Sequence, residues 1–196
     1  MPSIDTTVLV SAFADQSAAL LDWAGTLTPA ERAGTSTLEG RSVTDVLAHL
    51  SISAAMVAEG AGPAGERPRR GSTALLRTRL VELVVHGRDL SRSLPNHPPP
   101  LLPAAVRIVT KALADAMAEQ HPGRAVELRV PPYAAVQLLE GGSHTRGTPP
   151  NVVETDPMTF IDLASGRVTF AAAVESGAVR ASGIRADLGP YLPVLT

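Results

Sequence analysis

Along the first 120 positions, apolar residues return at intervals of three, four and seven, the period of a helix with one buried face. Leu9, Phe13, Leu20, Ala24 and Leu27 follow it and predict a helix over 6–25, with Asp5 or Thr6 as its cap. "TPAE" (28–31) combines a capping threonine, a proline at the first helical position and a glutamate at the third, which opens a further short helical turn. A second long helix is predicted over 41–60, with Val43, Val46, Leu47, Leu50, Ala54 and Val57 as its stripe. Ser42 stands at its cap, and Asp45 complements the positive helix start. "GAGPAGERPRRGS" (60–72) has no period and reads as a loop. Ser72 opens a helix to about Leu94, "PNHPPP" (95–100) ends it, and Val106, Val109, Leu113 and Met117 set a last helix over 102–120.

Beyond "HPG" (121–123) the pattern changes. "AVELRV" (125–130) and "AAVQLLEG" (134–141) read as strands around a "PPY" corner, and "GGSHTRGTPPN" (141–151) as a loop. Asp156-Pro157 starts a short helix to about Ala164, "VTFAAAVES" (168–176) reads as another, "AVRASG" (178–183) as a strand, and 184–195 as a last short helix and tail. The expected organisation is an all-helical domain over 1–121 followed by a small α+β domain over 125–196.

Composition narrows the function classes. With 44% hydrophobic and only 3% aromatic residues, the core must be built from Leu, Val and Ala. A net charge of −2 gives no basic excess to recruit nucleic acid or an anionic membrane. No apolar run reaches the roughly 18–20 residues that span a bilayer, and the first residues lack a leader pattern, so a cytoplasmic protein without membrane insertion is expected. The sequence has no cysteine, which excludes disulfides, thiolate-bound zinc and a nucleophilic thiol of the protein's own.

One stretch carries candidate chemistry, "ELVVHGRDL" (82–90). On a helix, residues four apart differ by about 40° and residues seven apart by about 20°. Glu82, His86 and Asp89 therefore share one line, and Leu75, Leu83 and Leu90 run beside it on the core side. His49 borders the stripe of the second helix, so packing the two stripes together brings His49, Glu82 and His86 into reach of one another. Two imidazoles and a carboxylate suit Zn²⁺ or a similar divalent ion with a fourth position open. Asp89 then orients an imidazole or a bound water from behind. By spacing alone an ordinary Glu–His pair on a helix surface is the first reading. Arg88 and Arg92 on the same helix, and His144 with Arg146 in "SHTRG", are weaker candidates for holding an anion; His97 and His121 suit structural roles.

"SVTDVLAHL" and "ELVVHGRDL" resemble the helical domain of the mycothiol-dependent maleylpyruvate isomerases, a branch of the DinB-like metal-binding bundles. The segment from "VELRVPPYAAVQLLEGG" to "AVRASG" resembles the bacterial sterol-carrier-type domain joined to such bundles. Together they imply a DinB-like bundle followed by a sterol-carrier-like α+β domain. The bundle is shortened here, since only 32 residues (50–81) separate His49 from Glu82.

The first resemblance implies that His49, Glu82 and His86 bind a divalent metal, usually zinc. It also implies a small thiol, mycothiol, as cofactor and a small organic acid as substrate of an isomerase or transferase. The second implies an alternative: a non-catalytic carrier that encloses an apolar ligand against Val126, Leu128, Val130, Val136, Leu138 and Leu139. By pattern alone those positions read first as a plain sheet core. Neither resemblance sets the oligomeric state.

Overall fold

The computed structural model describes residues 5–60, 70–141 and 151–195, and the side chains of all of these except 52–60 and 70–72. The chain divides into two compact units, 1–105 and 106–196.

The first unit is helical: α1 (Thr6–Thr26), α2 (Pro29–Ala33), α3 (Val43–Gly60) and α4 (Arg70–Ser93). Asp5 caps α1 by accepting the Thr7 N–H at 2.8 Å. The short helix predicted at "TPAE" forms with a complete capping box: the Glu31 N–H donates to the Thr28 hydroxyl, and Thr28 N–H donates back to Glu31. Ser42 and Asp45 exchange the same two bonds at the start of α3, at 2.8 and 3.2 Å.

Helix α4 packs against both α1 and α3. Its buried line is Leu76, Leu80, Leu83, Gly87 and Leu90, spaced four, three, four and three. Leu75 is 38% exposed, contrary to its expected place beside Leu83 and Leu90, because the packed line starts one residue later. Gly87 allows the chain to pass close by: a Cβ there would lie 2.6 Å from Leu101 Cδ2. Burial of leucines such as Leu80 and Leu90 stabilises by about 1.5–3 kcal/mol each.

The segment leaving α4 is tied to α1 by polar side chains. Gln16, fully buried, donates to the Pro100 carbonyl at 2.9 Å and accepts the Leu102 N–H at 2.8 Å. The Trp23 indole N–H donates to the His97 carbonyl at 3.2 Å, and His97 meets Glu31 through Nδ1 at 2.9 Å. His97 is thus a structural residue.

The second unit is α+β: α5 (Pro103–Gln120), which begins in the last residues of the first unit, then β1 (Val126–Val130), β2 (Ala134–Leu138), β3 (Val152–Thr155), α6 (Pro157–Ala164), α7 (Phe170–Glu175) and β4 (Val179–Ser182). The strands form one sheet in the order β2-β1-β3-β4. β1 pairs antiparallel with β2 (Leu128 opposite Val136) and parallel with β3 (Leu128 opposite Val153), and β3 pairs antiparallel with β4. Alternation buries Val126, Leu128 and Val130 on one face, with Val153 and Val179 beside them. Asp156 caps α6, and Thr169 caps α7. His121 packs edge-on against Tyr191, with ring centroids 4.9 Å apart.

The second unit differs from the sequence reading at two places, one where no element was assigned and one where a helix was. The stretch 152–155 is a strand, inserted between β1 and β4. The expected helix over 184–195 reduces to one 3₁₀ turn, Gly189–Tyr191, since Pro190 and Pro193 withhold the amides a longer helix needs. By its contacts the chain divides at 105/106, which places most of α5 in the second unit. No described helix is long and apolar enough to cross a membrane.

Candidate metal centre

Helix α4 sets Glu82, His86 and Asp89 in one line, and α3, packed beside it, carries His49. The structure brings the two histidines together. Their ring centroids are 5.3 Å apart and their planes stand at 89°. His49 is exposed and His86 half-buried. Zinc–nitrogen bonds of about 2.0–2.1 Å at a tetrahedral angle put two imidazole centroids roughly 5 Å apart, so the observed separation suits a shared divalent ion.

Asp89 lies behind His86. Its carboxylate, 1% exposed, accepts from His86 Nδ1 at 3.1 Å, and Arg92 NH1 stands 3.7 Å from its other oxygen. An ionised carboxylate only accepts, so this bond fixes the proton on Nδ1 and leaves the Nε2 lone pair as the ligand of His86.

The two histidines line a cavity of about 120 Å³ together with Val46, Leu38 and Arg41. That volume admits an ion with several waters, or a small ligand. Leu38 and Arg41 belong to the 34–42 segment, which closes on itself through a Thr35–Ser42 bridge. Thr37 fastens that segment to α4: its N–H donates to Ser93 Oγ at 3.0 Å, and its hydroxyl to the Asp89 carbonyl at 3.2 Å. Sequence reasoning missed Arg41, because its place beside the histidines follows from a loop folding back, which periodicity does not record.

Glu82 stands apart from this arrangement. Both of its oxygens lie against Arg79 NH1, at 2.8 and 2.6 Å. Among the described residues no group of three or more His, Cys, Asp or Glu side chains is placed to hold a metal ion. The two imidazoles are brought together as a shared ion would require, with a carboxylate behind His86, while the expected third ligand, Glu82, is held by a guanidinium. Of the expected anion-binding residues, Arg88 is half-buried on α4 and already partnered. His144 and Arg146 lie outside the described residues.

Residues 103–194 match the family model described as bacterial SCP ortholog. No curated protein matches the chain. Among solved structures, the crystal structure of the mycothiol-dependent maleylpyruvate isomerase is 14% identical with a TM-score of 0.48, covering 91% of this chain and 93% of that one. A histidine-to-alanine variant of that isomerase has 12% identity, a TM-score of 0.49 and the same coverage.

Proposed function

We propose that the helical unit binds one divalent metal ion, zinc by its nitrogen and oxygen donors, through His49, His86 and Glu82, with Asp89 orienting His86. The observation that carries this reading is the His49–His86 pair: 5.3 Å between centroids, with Nδ1 of one ring tied back to a buried carboxylate. When bound, such an ion lowers the pKa of a small thiol and holds it as a nucleophile. The chain has no cysteine, so the thiol comes from a small molecule, mycothiol by the resemblance of the two helical motifs, in an isomerase or transferase reaction. Arg41 presents a cation to the same cavity and suits a small organic acid as the second reactant. Isothermal titration of metal-stripped protein with Zn²⁺ tests the reading. One site per chain is expected in the wild type and at least a hundredfold weaker binding in His86→Ala; no saturable binding in the wild type rejects it.

A second reading rests on the match over 103–194: the α+β unit carries an apolar ligand, and the bundle accompanies it. Val126, Leu128, Val130 and Leu138 are fully buried, so a ligand must part a packed sheet face to enter. Titration of delipidated protein with a fluorescent fatty-acyl probe tests it, and an absence of saturable binding counts against it.

A further inference from the structure

His97 lies outside the candidate centre, and both of its ring nitrogens are engaged. Nδ1 stands 2.9 Å from Glu31 Oε1, and Nε2 stands 3.2 Å from the Thr26 hydroxyl oxygen. What these partners can offer decides how many protons the ring carries. Glu31 is ionised. The Thr28 amide and hydroxyl donate to its other oxygen, each at 2.8 Å, and the amide bond foremost holds its pKa down at about 2. An ionised carboxylate only accepts, so Nδ1 must carry a proton. The Thr26 hydroxyl has one proton, which it donates to the Trp23 carbonyl at 2.6 Å. Toward Nε2 the same oxygen can only accept, so Nε2 must carry a proton as well.

We infer that His97 is held as an imidazolium in the folded protein, and that this proton makes the attachment of the segment after α4 to α1 and α2 sensitive to pH. A neutral ring has a single N–H. If it keeps the bond to Glu31, a bare Nε2 faces an oxygen whose proton is already given, and Thr26 must release either the ring or the Trp23 carbonyl. The chain of bonds from Thr28 through Glu31, His97 and Thr26 to Trp23 then loses a link and a cation. Among the described residues, the charged groups that contacts place here are Glu31 and Arg32 of α2. The Arg32 guanidinium is spent on the Leu27 and Ala24 carbonyls, and α1 contributes the uncharged Trp23 and Thr26. The loosening is local, since Gln16, which does not titrate, holds Pro100 and Leu102 independently of pH.

Ring protonation is read directly from histidine nitrogen–proton correlation spectra of the isotope-labelled full chain at about pH 7.5, where an ordinary histidine is mostly neutral. The His97 signals are identified by contact with the Trp23 ring, whose centroid lies 6.0 Å away. Two protonated nitrogens are expected in the wild type. Glu31→Gln and Thr26→Val each remove one of the acceptors, and in each the ring should show one bare nitrogen. A role in packing alone would leave the protonation unchanged.

Stability gives the second readout. The folded ring keeps a proton that the unfolded chain releases above about pH 6.5, so the contribution of His97 is complete below that pH and is lost as pH rises. The advantage of wild type over His97→Gln in urea should therefore shrink between about pH 6 and about pH 9, by roughly threefold in the folding equilibrium for a ring 38% exposed. One bare nitrogen at His97 in the wild type overturns the inference, and that spectrum decides by itself should a variant fail to fold. Two protonated nitrogens that persist in both Glu31→Gln and Thr26→Val, or a stability advantage that does not change with pH, overturn it as well.

Discussion

The carboxylate of Asp89, 1% exposed, sits 3.1 Å from Nδ1 of His86, so a buried acid three residues along the helix decides which nitrogen of that histidine can bind a ligand. Asp89 also has Arg92 at 3.7 Å, and its own carbonyl accepts from the hydroxyls of Thr37 and Ser93. Residue 89 therefore meets the histidine through its carboxylate and, through its backbone carbonyl, the segment that carries Leu38 and Arg41. Asp89→Asn keeps the shape and removes the charge. Zinc affinity is expected to fall by about 10–100-fold, the usual loss when a carboxylate behind a ligating histidine is removed. Chelator competition measures it; unchanged affinity would mean that Asp89 serves only the fold.

Glu31 gives the fold an acid-sensitive point away from the centre. It accepts from the Thr28 N–H and hydroxyl, each at 2.8 Å, and from His97 Nδ1 at 2.9 Å. The Thr28 amide bond first, and the His97 contact after it, lower its pKa from 4.5 to about 2. A carboxyl depressed by folding adds stability that is complete above its unfolded value and is lost as pH falls toward its folded value. The window here is pH 4.5 down to about 2. Glu31→Gln should remove the part of the acid dependence that lies in this window. Trp23, the only tryptophan, bonded to the His97 carbonyl, reports it by fluorescence in urea titrations at stepped pH. An identical acid limb in both proteins would contradict the assignment.

In the second unit, Asn151 is a buried bridge. Its Nδ2 donates to the Ala125 carbonyl at 2.7 Å, and its Oδ1 accepts the Arg185 N–H at 3.0 Å, joining the start of β1 to the segment after β4. Asn151→Ala leaves the Ala125 carbonyl without this donor, a loss of roughly 1–3 kcal/mol. The urea midpoint should fall with the slope unchanged.

Two glycines should answer differently to alanine. Gly123 has φ of 150°, and a Cβ there would lie 1.8 Å from the Leu139 carbonyl oxygen; Leu139 itself holds φ of 65°. The obstacle is backbone, so no rotamer relieves it, and Gly123→Ala should prevent accumulation of folded protein. Gly177, at φ of 75°, has nothing within 4 Å of its would-be Cβ. Gly177→Ala should cost only the left-handed strain of about 1–2 kcal/mol. Thermal unfolding of the two variants in parallel checks the contrast.

Where one local rule dominates, sequence was enough. The capping boxes at Thr28/Glu31 and Ser42/Asp45, the stripes of α1 and α5, and the Asp156-Pro157 start of α6 all follow from neighbours within a turn or two. The strand β3 did not follow, because its four residues are stabilised by β1 and β4 on either side, partners that a local reading does not contain. The same limit acts within the candidate centre. That His49 and His86 share a border was legible from two helical stripes. That Glu82 is held by Arg79, and that Arg41 lines the same cavity as the histidines, depends on side-chain choices and a loop path that spacing leaves open. Placing α5 with the second unit required packing, since its stripe fits a bundle and an α+β layer equally well.

The central claim is that His49 and His86 share one divalent ion. Its most direct test is calorimetric titration of metal-stripped protein with Zn²⁺, run on wild type, His49→Ala and His86→Ala with matched circular dichroism. The account predicts one zinc per chain in the wild type and at least a hundredfold weaker binding in each histidine variant, an expectation set by losing one of three ligands. Zinc binding that survives both substitutions unchanged, or no binding in the wild type, would contradict it.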